Sequence, residues 1–260
     1  METNEKRVLV TGGGSGIGAA MCRRFAADGA TVVVADMNAE AAQAVADEIG
    51  GVALTADVGS AEANEAMIDE AEAAVGPIDL LVLNAGIATG TDVTDTTDET
   101  WDTIWRVNVM AHVWALRAWL PRAIERGGGY VLHTASAAGL LTSLGSAPYS
   151  VTKHAVVSLA EWVSITHADK GITVSALCPQ FVSTPLLDDL KDIPGGQKLA
   201  ALGVKEPSEI ADAVAEAIAE DRFLILPHPE VEQYEQNRAN DRERWLGGMR
   251  KLQRHILSED

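Results

Sequence analysis

Seven short apolar runs recur along this chain, and longer helical or polar stretches separate them. The runs are RVLVT (7–11), ATVVVAD (30–36), GVALTAD (51–57), IDLLVLNAG (78–86), GGYVLHTAS (128–136), ITVSALCP (172–179) and RFLILP (222–227). They are rich in Val, Leu and Ile, as strands covered on both faces must be. Helical patterns fill the gaps near 16–28, 38–49, 60–75, 97–125, 148–170 and 207–219. Strand-helix alternation predicts an α/β fold, with a doubly wound seven-stranded parallel sheet and helices on both faces. No linker, repeat or low-complexity tract interrupts it, so residues 1–260 read as a single domain.

Two segments break the alternation. Residues 183–206 contain DIPGG and leave a strand at its carboxyl edge, where open α/β sheets bind ligands, so they read as a substrate loop. Residues from about 230 to 260 read as a helical extension. In it Trp245, Met249, Leu252 and Ile256 share one helix face. That face packs either on its own subunit or on a neighbour.

Composition excludes several functions. With 47% hydrophobic residues the chain can bury a sizeable core. A net charge of −18 argues against nucleic acid and anionic membranes as partners. The opening METNEKR is polar and shows no signal peptide, and no apolar stretch approaches the roughly 20 residues of a spanning helix. Cys22 and Cys178 are isolated, which fits a reducing cytoplasm. His133, His154 and His167 have no metal-ligand spacing, and no metal is expected.

The first strand runs into LVTGGGSGIGAA. Gly12 permits the tight turn, Gly16 lets backbone approach a phosphate, and Gly18 lets helix and strand pack closely. The helix N-terminus then offers free N–H groups and partial positive charge to a pyrophosphate. The second strand ends in Asp36, which can accept hydrogen bonds from both hydroxyls of an adenosine ribose and would repel a 2′-phosphate. Ser15 and Met37 stand nearby with no Lys or Arg to hold that phosphate, so the expected cofactor is NAD(H) rather than NADP(H).

TGGGSGIG fits the TGxxxGxG loop of the short-chain dehydrogenase/reductase family, and the chain resembles that family to about residue 227. LNAG (83–86) resembles the family's NNAG segment, with Leu83 in place of the first Asn. VNVM places Asn108 in the long fourth helix, and Ser136, Tyr149 and Lys153 match the family's Ser, Tyr, Lys pattern in identity and spacing. The resemblance implies a Rossmann fold. It implies cofactor contacts at Gly12, Gly14, Ser15, Gly16, Ile17, Gly18, Asp36, Met37, Asp57, Val58, Asn84, Ala85, Gly86, Tyr149, Lys153, Pro179, Val182 and Thr184. The family has Gly where this chain has Gln180, whose side chain points either into the pocket or to the surface.

These residue types suit hydride chemistry. Oxidising a secondary alcohol releases a hydride and a hydroxyl proton, and a positioned base must take the proton. A phenol has a pKa near 10, and lowering it by roughly three units takes about 4 kcal/mol of anion stabilisation. The Lys153 ammonium, one helical turn from Tyr149, and an oxidised nicotinamide are expected to supply that. Ser136 is the expected donor to the reacting oxygen. By resemblance, Asn108 holds a water linking Lys153 to solvent. Ser136, Leu144, Tyr149, Gln180 and Phe181 are the expected substrate contacts, and the leucines favour an apolar alcohol or ketone.

The leading expectation is therefore an NAD-dependent enzyme interconverting a secondary alcohol and its ketone. The competing one is a non-catalytic NAD(H)-binding regulatory protein of the same fold. Trp101, Trp105, Trp114, Trp119 and Trp162 fall in the two long helices that, by resemblance, form the subunit face of a homodimer or homotetramer.

Overall fold

The computed structural model describes residues 1–187 and 203–257. Strands β1 (Arg7–Thr11), β2 (Thr31–Asp36), β3 (Val52–Thr55), β4 (Leu80–Leu83), β5 (Gly129–Thr134) and β6 (Ile172–Leu177) fall within the expected runs. Two short strands, β7 (Phe181–Val182) and β8 (Val204–Lys205), pair with each other, and β9 (Leu224–Ile225) closes the main sheet. That sheet has seven parallel strands in the order β3-β2-β1-β4-β5-β6-β9. The chain steps outward from β1 to β3, then restarts on the other side of β1 with β4. The reversal leaves a crevice at the carboxyl ends of β1 and β4.

Side-chain alternation divides the strands between two layers. Val8, Val10, Val32, Val34, Val82 and Leu132 face one core with helices α1 (Gly16–Ala27) and α2 (Ala39–Ile49). Leu9, Val33, Leu81 and Val131 face the other with α3 (Ala61–Val75). Every one of these strand residues is buried. This is the Rossmann-like α/β architecture that the alternation predicts.

The helix expected over 97–125 is not continuous. It comprises α4 (Asp98–Trp105), a π-helical turn at Arg106–Met110 and α5 (Ala111–Glu125). A π-turn inserts an extra residue into the helical ladder, a device frequent at functional sites, and here it carries Asn108. After the short α6 (Ala138–Leu141) comes α7 (Ala147–His167), which starts where its residues dictate. The Ser146 hydroxyl caps it by accepting from the Tyr149 N–H at 3.3 Å, and Pro148 sits in the first turn.

Helix α8 (Pro207–Ala219) packs beside α1, and two further helices, α9 (Glu230–Asn240) and α10 (Arg242–Leu257), end the described chain. Of the expected substrate loop, residues 188–202 lie outside the described residues. Among the described residues no helix is long and apolar enough to cross a membrane.

Candidate active site

The turn between β1 and α1 is built for close approach. Gly12 and Gly16 hold φ of +64° and +52°, a region that side chains disfavour. A Cβ on Gly18 would lie 2.0 Å from the Gly12 carbonyl oxygen, so helix and turn touch only because residue 18 has no side chain. The Asp36 carboxylate completes the cradle. Its Oδ2 accepts from the Gly14 N–H and its Oδ1 from the Asn38 N–H, each at 2.9 Å. Each oxygen keeps lone-pair capacity for a further donor.

Thr11 and Asn84 brace this turn against β4. The Thr11 hydroxyl accepts from the N–H groups of Asn84 (2.9 Å) and Ala85 (3.1 Å). The Asn84 amide donates back to the Thr11 carbonyl at 3.0 Å. Asn84 therefore ties the crevice's two walls together. Thr11 opens the TGGGSGIG motif, but its bracing part is not legible from local spacing, because its partners lie more than seventy positions away.

A cavity of about 1380 Å³ runs from this cradle across the carboxyl edge of the sheet. Asp36 and Asp57 line one end, and Ser136, Tyr149, Lys153, Gln180 and Phe181 line the other. Most residues expected to contact cofactor or substrate line it. Gly14, Gly18 and Asn108 do not and work from behind. Asp57 also accepts from the Gly59 N–H at 2.9 Å, which fixes the turn after β3.

At the far end, β5 and α7 supply the reactive groups. Lys153 is 3% exposed and its ammonium donates to the Thr134 carbonyl at 2.9 Å. Its Nζ lies 5.6 Å from the centre of the Tyr149 ring. Burial pulls the Lys153 amine down to about 8. Burial also pushes the Tyr149 phenol up, with the nearby Ser136 hydroxyl pulling the other way. The protein's own groups therefore leave the phenol raised; the expected lowering also calls on an oxidised nicotinamide. Desolvation outweighs the stabilising contacts, and the ammonium is bonded to a carbonyl. The Ser136 hydroxyl accepts from the Ala138 N–H at 3.1 Å and donates to the Pro179 carbonyl at 3.4 Å.

Asn108 is fully buried and its amide is largely committed. It donates to the Ile87 carbonyl (2.9 Å) and the Thr152 hydroxyl (3.2 Å), and accepts from the Ile87 N–H (2.9 Å). It therefore clamps the π-turn to the segment after Gly86. A Cβ on Gly86 would lie 3.3 Å from Asn108 Oδ1 and 3.4 Å from Lys153 Nζ, so both groups converge on that glycine.

Gln180 is among the residues that line the cavity. Its backbone N–H donates to His228 Nδ1 at 3.1 Å. Both thiols are buried and burial pushes each up to about 12, so neither ionises near neutrality. Among the described residues no cluster of His, Cys, Asp and Glu is placed to hold a metal.

A glycine cradle at a topological switch point, with a carboxylate at the end of β2, defines a dinucleotide-binding α/β protein. The family model described as short chain dehydrogenase matches residues 6–194. Cyclohexanol dehydrogenase of Acinetobacter sp. (strain SE19) is 35% identical over 85% of this chain and 91% of its own. Galactitol 2-dehydrogenase (L-tagatose-forming) of Cereibacter sphaeroides is 37% identical over 78% of this chain and 84% of its own. Among solved structures, a short chain dehydrogenase/reductase from Burkholderia phymatum in complex with NAD superposes with a TM-score of 0.86. It is 29% identical and the match covers 94% of this chain and 96% of that one. The chain belongs to the short-chain dehydrogenase/reductase family, a family of oxidoreductases that use a nicotinamide cofactor.

Proposed function

We propose that this protein is an NAD-dependent dehydrogenase interconverting a secondary alcohol and its ketone, with Tyr149 as the acid/base. The observation that carries the reading is one cavity with Asp36 and the glycine cradle at one end and Ser136, Tyr149 and Lys153 at the other. The cradle fits a dinucleotide because Gly12 and Gly16 line it with bare backbone, and the tight turn holds only without side chains: a Cβ at Gly14 would lie 2.9 Å from Asp36 Oδ2 and one at Gly18 2.0 Å from the Gly12 carbonyl oxygen. Gly16 and Ser15 would take the pyrophosphate, Asp36 the adenosine ribose, and Asp57 and Val58 the adenine. Asn84, Ala85, Gly86, Pro179, Val182 and Thr184 would frame the nicotinamide half. Bound there, NAD⁺ supplies the hydride acceptor and a positive charge beside the phenol.

Tyr149 takes the alcohol proton, and Ser136 donates to the oxygen as it becomes a carbonyl. Lys153 supplies the cation that offsets burial of the phenolate. Asn108 holds the π-turn in register with Gly86 and Lys153. The test is turnover of a panel of secondary alcohols with NAD⁺ and NADP⁺. Tight NADH binding without turnover would favour the non-catalytic regulator instead.

Cofactor choice rests on Asp36. Replacing it with Ser removes the ribose acceptor and the charge that repels a 2′-phosphate. The expected result is a fall of roughly 10- to 100-fold in the NAD⁺/NADP⁺ ratio of kcat/KM, the worth of about 1–3 kcal/mol. Wild-type efficiency with NADP⁺ equal to that with NAD⁺ would remove the basis for this.

The named relatives act on an alicyclic alcohol and on a polyol, so the cavity must choose between them. Leu141, Leu144, Phe181, Leu186 and Leu187 line it, which favours an apolar alcohol. We also propose a homodimer or homotetramer. Trp105, Val151, Trp162 and Ile165 on α4 and α7 are between 39% and 83% exposed, an apolar set that a second copy would cover. Trp119 is not part of it, being buried against the Ile78 carbonyl at 3.0 Å. Sedimentation should give a dimer or tetramer, and Trp162→Glu should shift it toward monomer. A wild-type monomer at micromolar concentration would contradict the proposal.

A further inference from the structure

The substrate end of the cavity has a wall that neither the glycine cradle nor the reactive groups account for. Helix α10 brings Trp245, Met249 and Leu252 to the lining, a spacing of four and then three residues along one helix face. Tyr234 from α9 joins them, its ring centre 6.3 Å from that of Trp245. Trp245 also packs against the apolar cluster containing Leu140, Leu141 and Val231, so it reaches the segment that follows Ser136.

Two hydrogen bonds fasten this arm beside the reactive groups. At its base, His228 Nδ1 accepts from the Gln180 N–H at 3.1 Å. Along α9, Arg238 Nη2 lies 3.4 Å from His154 Nε2, next in sequence to Lys153. His154 Nδ1 lies 2.8 Å from the Ser150 carbonyl, which makes Nδ1 the donor and leaves Nε2 to accept from Arg238. The arm is thus bonded both to the Gln180 segment and to the helix that carries Tyr149. The apolar face recognisable in the sequence serves this chain's own cavity.

Resting on the dehydrogenase reading above, we propose that Trp245 is a specificity-determining residue. With Met249 and Leu252 it forms a wall that selects bulky, fused-ring or similarly broad apolar alcohols. The arm also brings Asn237, Asn240, Asp241 and Arg244 to the lining, so the selection lies in the apolar stripe itself: a hydroxyl pressed against Trp245, Met249 and Leu252 would lose water without gaining a partner there, which disfavours a polyol over a ring of the same size. A four-carbon alcohol held at Tyr149 would leave much of the cavity unfilled.

The test compares 2-decalol with 2-butanol. In Trp245→Ala the ratio of their kcat/KM values should fall roughly 30-fold, mainly through KM for 2-decalol. Trp245→Phe should restore most of the ratio, and NADH affinity should stay within threefold of wild type. A ratio within threefold of wild type in Trp245→Ala would overturn the assignment. A second arm separates this inference from the dehydrogenase reading: 2-decalone is titrated into the NADH complex of Tyr149→Phe, with and without Trp245→Ala, and NADH fluorescence is followed. Binding that weakens at least tenfold without Trp245, when the wild type with Tyr149 intact oxidises no alcohol of the panel, would keep the wall and refute the dehydrogenase. Turnover that is indifferent to Trp245 would keep the dehydrogenase and refute the wall. Absence of both 2-decalone binding and 2-decalol turnover would also refute the wall.

Discussion

Tyr149→Phe should lower kcat for alcohol oxidation by roughly a thousandfold or more while NADH affinity stays within threefold. The size follows from the chemistry. A positioned acid/base contributes on the order of 10²–10⁴-fold, and here the proton has no other acceptor of comparable placement. The phenylalanine ring keeps the shape of the wall beside Lys153, whose Nζ sits 5.6 Å from the ring centre, so binding is spared. Ser136→Ala should fall short of this loss, because that hydroxyl orients the oxygen without taking its proton. The measurement is steady-state NADH production by the variant beside fluorescence titration with NADH. Retention of a tenth of wild-type activity by Tyr149→Phe would remove Tyr149 from the role.

The second large effect concerns acid stability. His112 on α5 and His133 on β5 face each other within the sheet's helix-covered side, with Nδ1 atoms 2.9 Å apart and exposures of 1% and 0%. Neither Nε2 has a partner. Burial holds His133 down to about 3 and His112 well below its usual value, the latter also repelled by His133 and Lys153. An unfolded chain binds these protons near pH 6.5, so the unfolded state gains protons first as pH falls. Stability is therefore intact above about pH 6.5 and is lost as pH drops toward 3. Each imidazole costs about 1.4 kcal/mol per pH unit within its window. From pH 6 to 4 His133 alone removes about 2.5 kcal/mol, a large share of the stability of a modest domain, and His112 adds to the loss in the same direction.

Urea unfolding at pH 7, 6, 5 and 4 should show this slope in the wild type. The double substitution His112→Leu/His133→Leu, which keeps the volume and removes both titrations, should flatten most of it. Equal slopes in the two proteins would exclude the pair as the cause.

The contrast between these two sites shows what the chain's order of residues could reveal. Tyr149 and Lys153 stand one helical turn apart, and Ser136 lies two residues past the end of β5, a strand whose direction is set by burial, so their meeting follows from local rules. The glycine turn is equally local, since β1, the turn and α1 are continuous. His112 and His133 are different. They lie twenty-one positions apart on elements whose packing angle no spacing encodes, and neither has a neighbour in sequence that marks it.

The same limit hid the Thr134 carbonyl, which occupies the Lys153 ammonium, and the Thr11 hydroxyl, which braces β4. Continuous helical periodicity over 97–125 also concealed the π-turn, because a single extra residue shifts the apolar face only slightly. The tail's amphipathic face was legible at Trp245, Met249 and Leu252. Its destination was not, because it depends on His228 and Arg238 finding Gln180 and His154 across the fold.

Asp36 links nucleotide choice to the shape of the loop that holds the nucleotide. Its two oxygens receive the N–H groups of Gly14 and Asn38, so the carboxylate is a fixed part of the cradle before any ligand arrives. Retuning the protein toward a phosphorylated cofactor is therefore a two-part engineering problem. Removing the negative charge also removes the acceptor that holds the Gly14 backbone, and a basic side chain added nearby would enter a loosened turn. A successful redesign has to return an acceptor to Gly14 as well as bring a cation to the ribose.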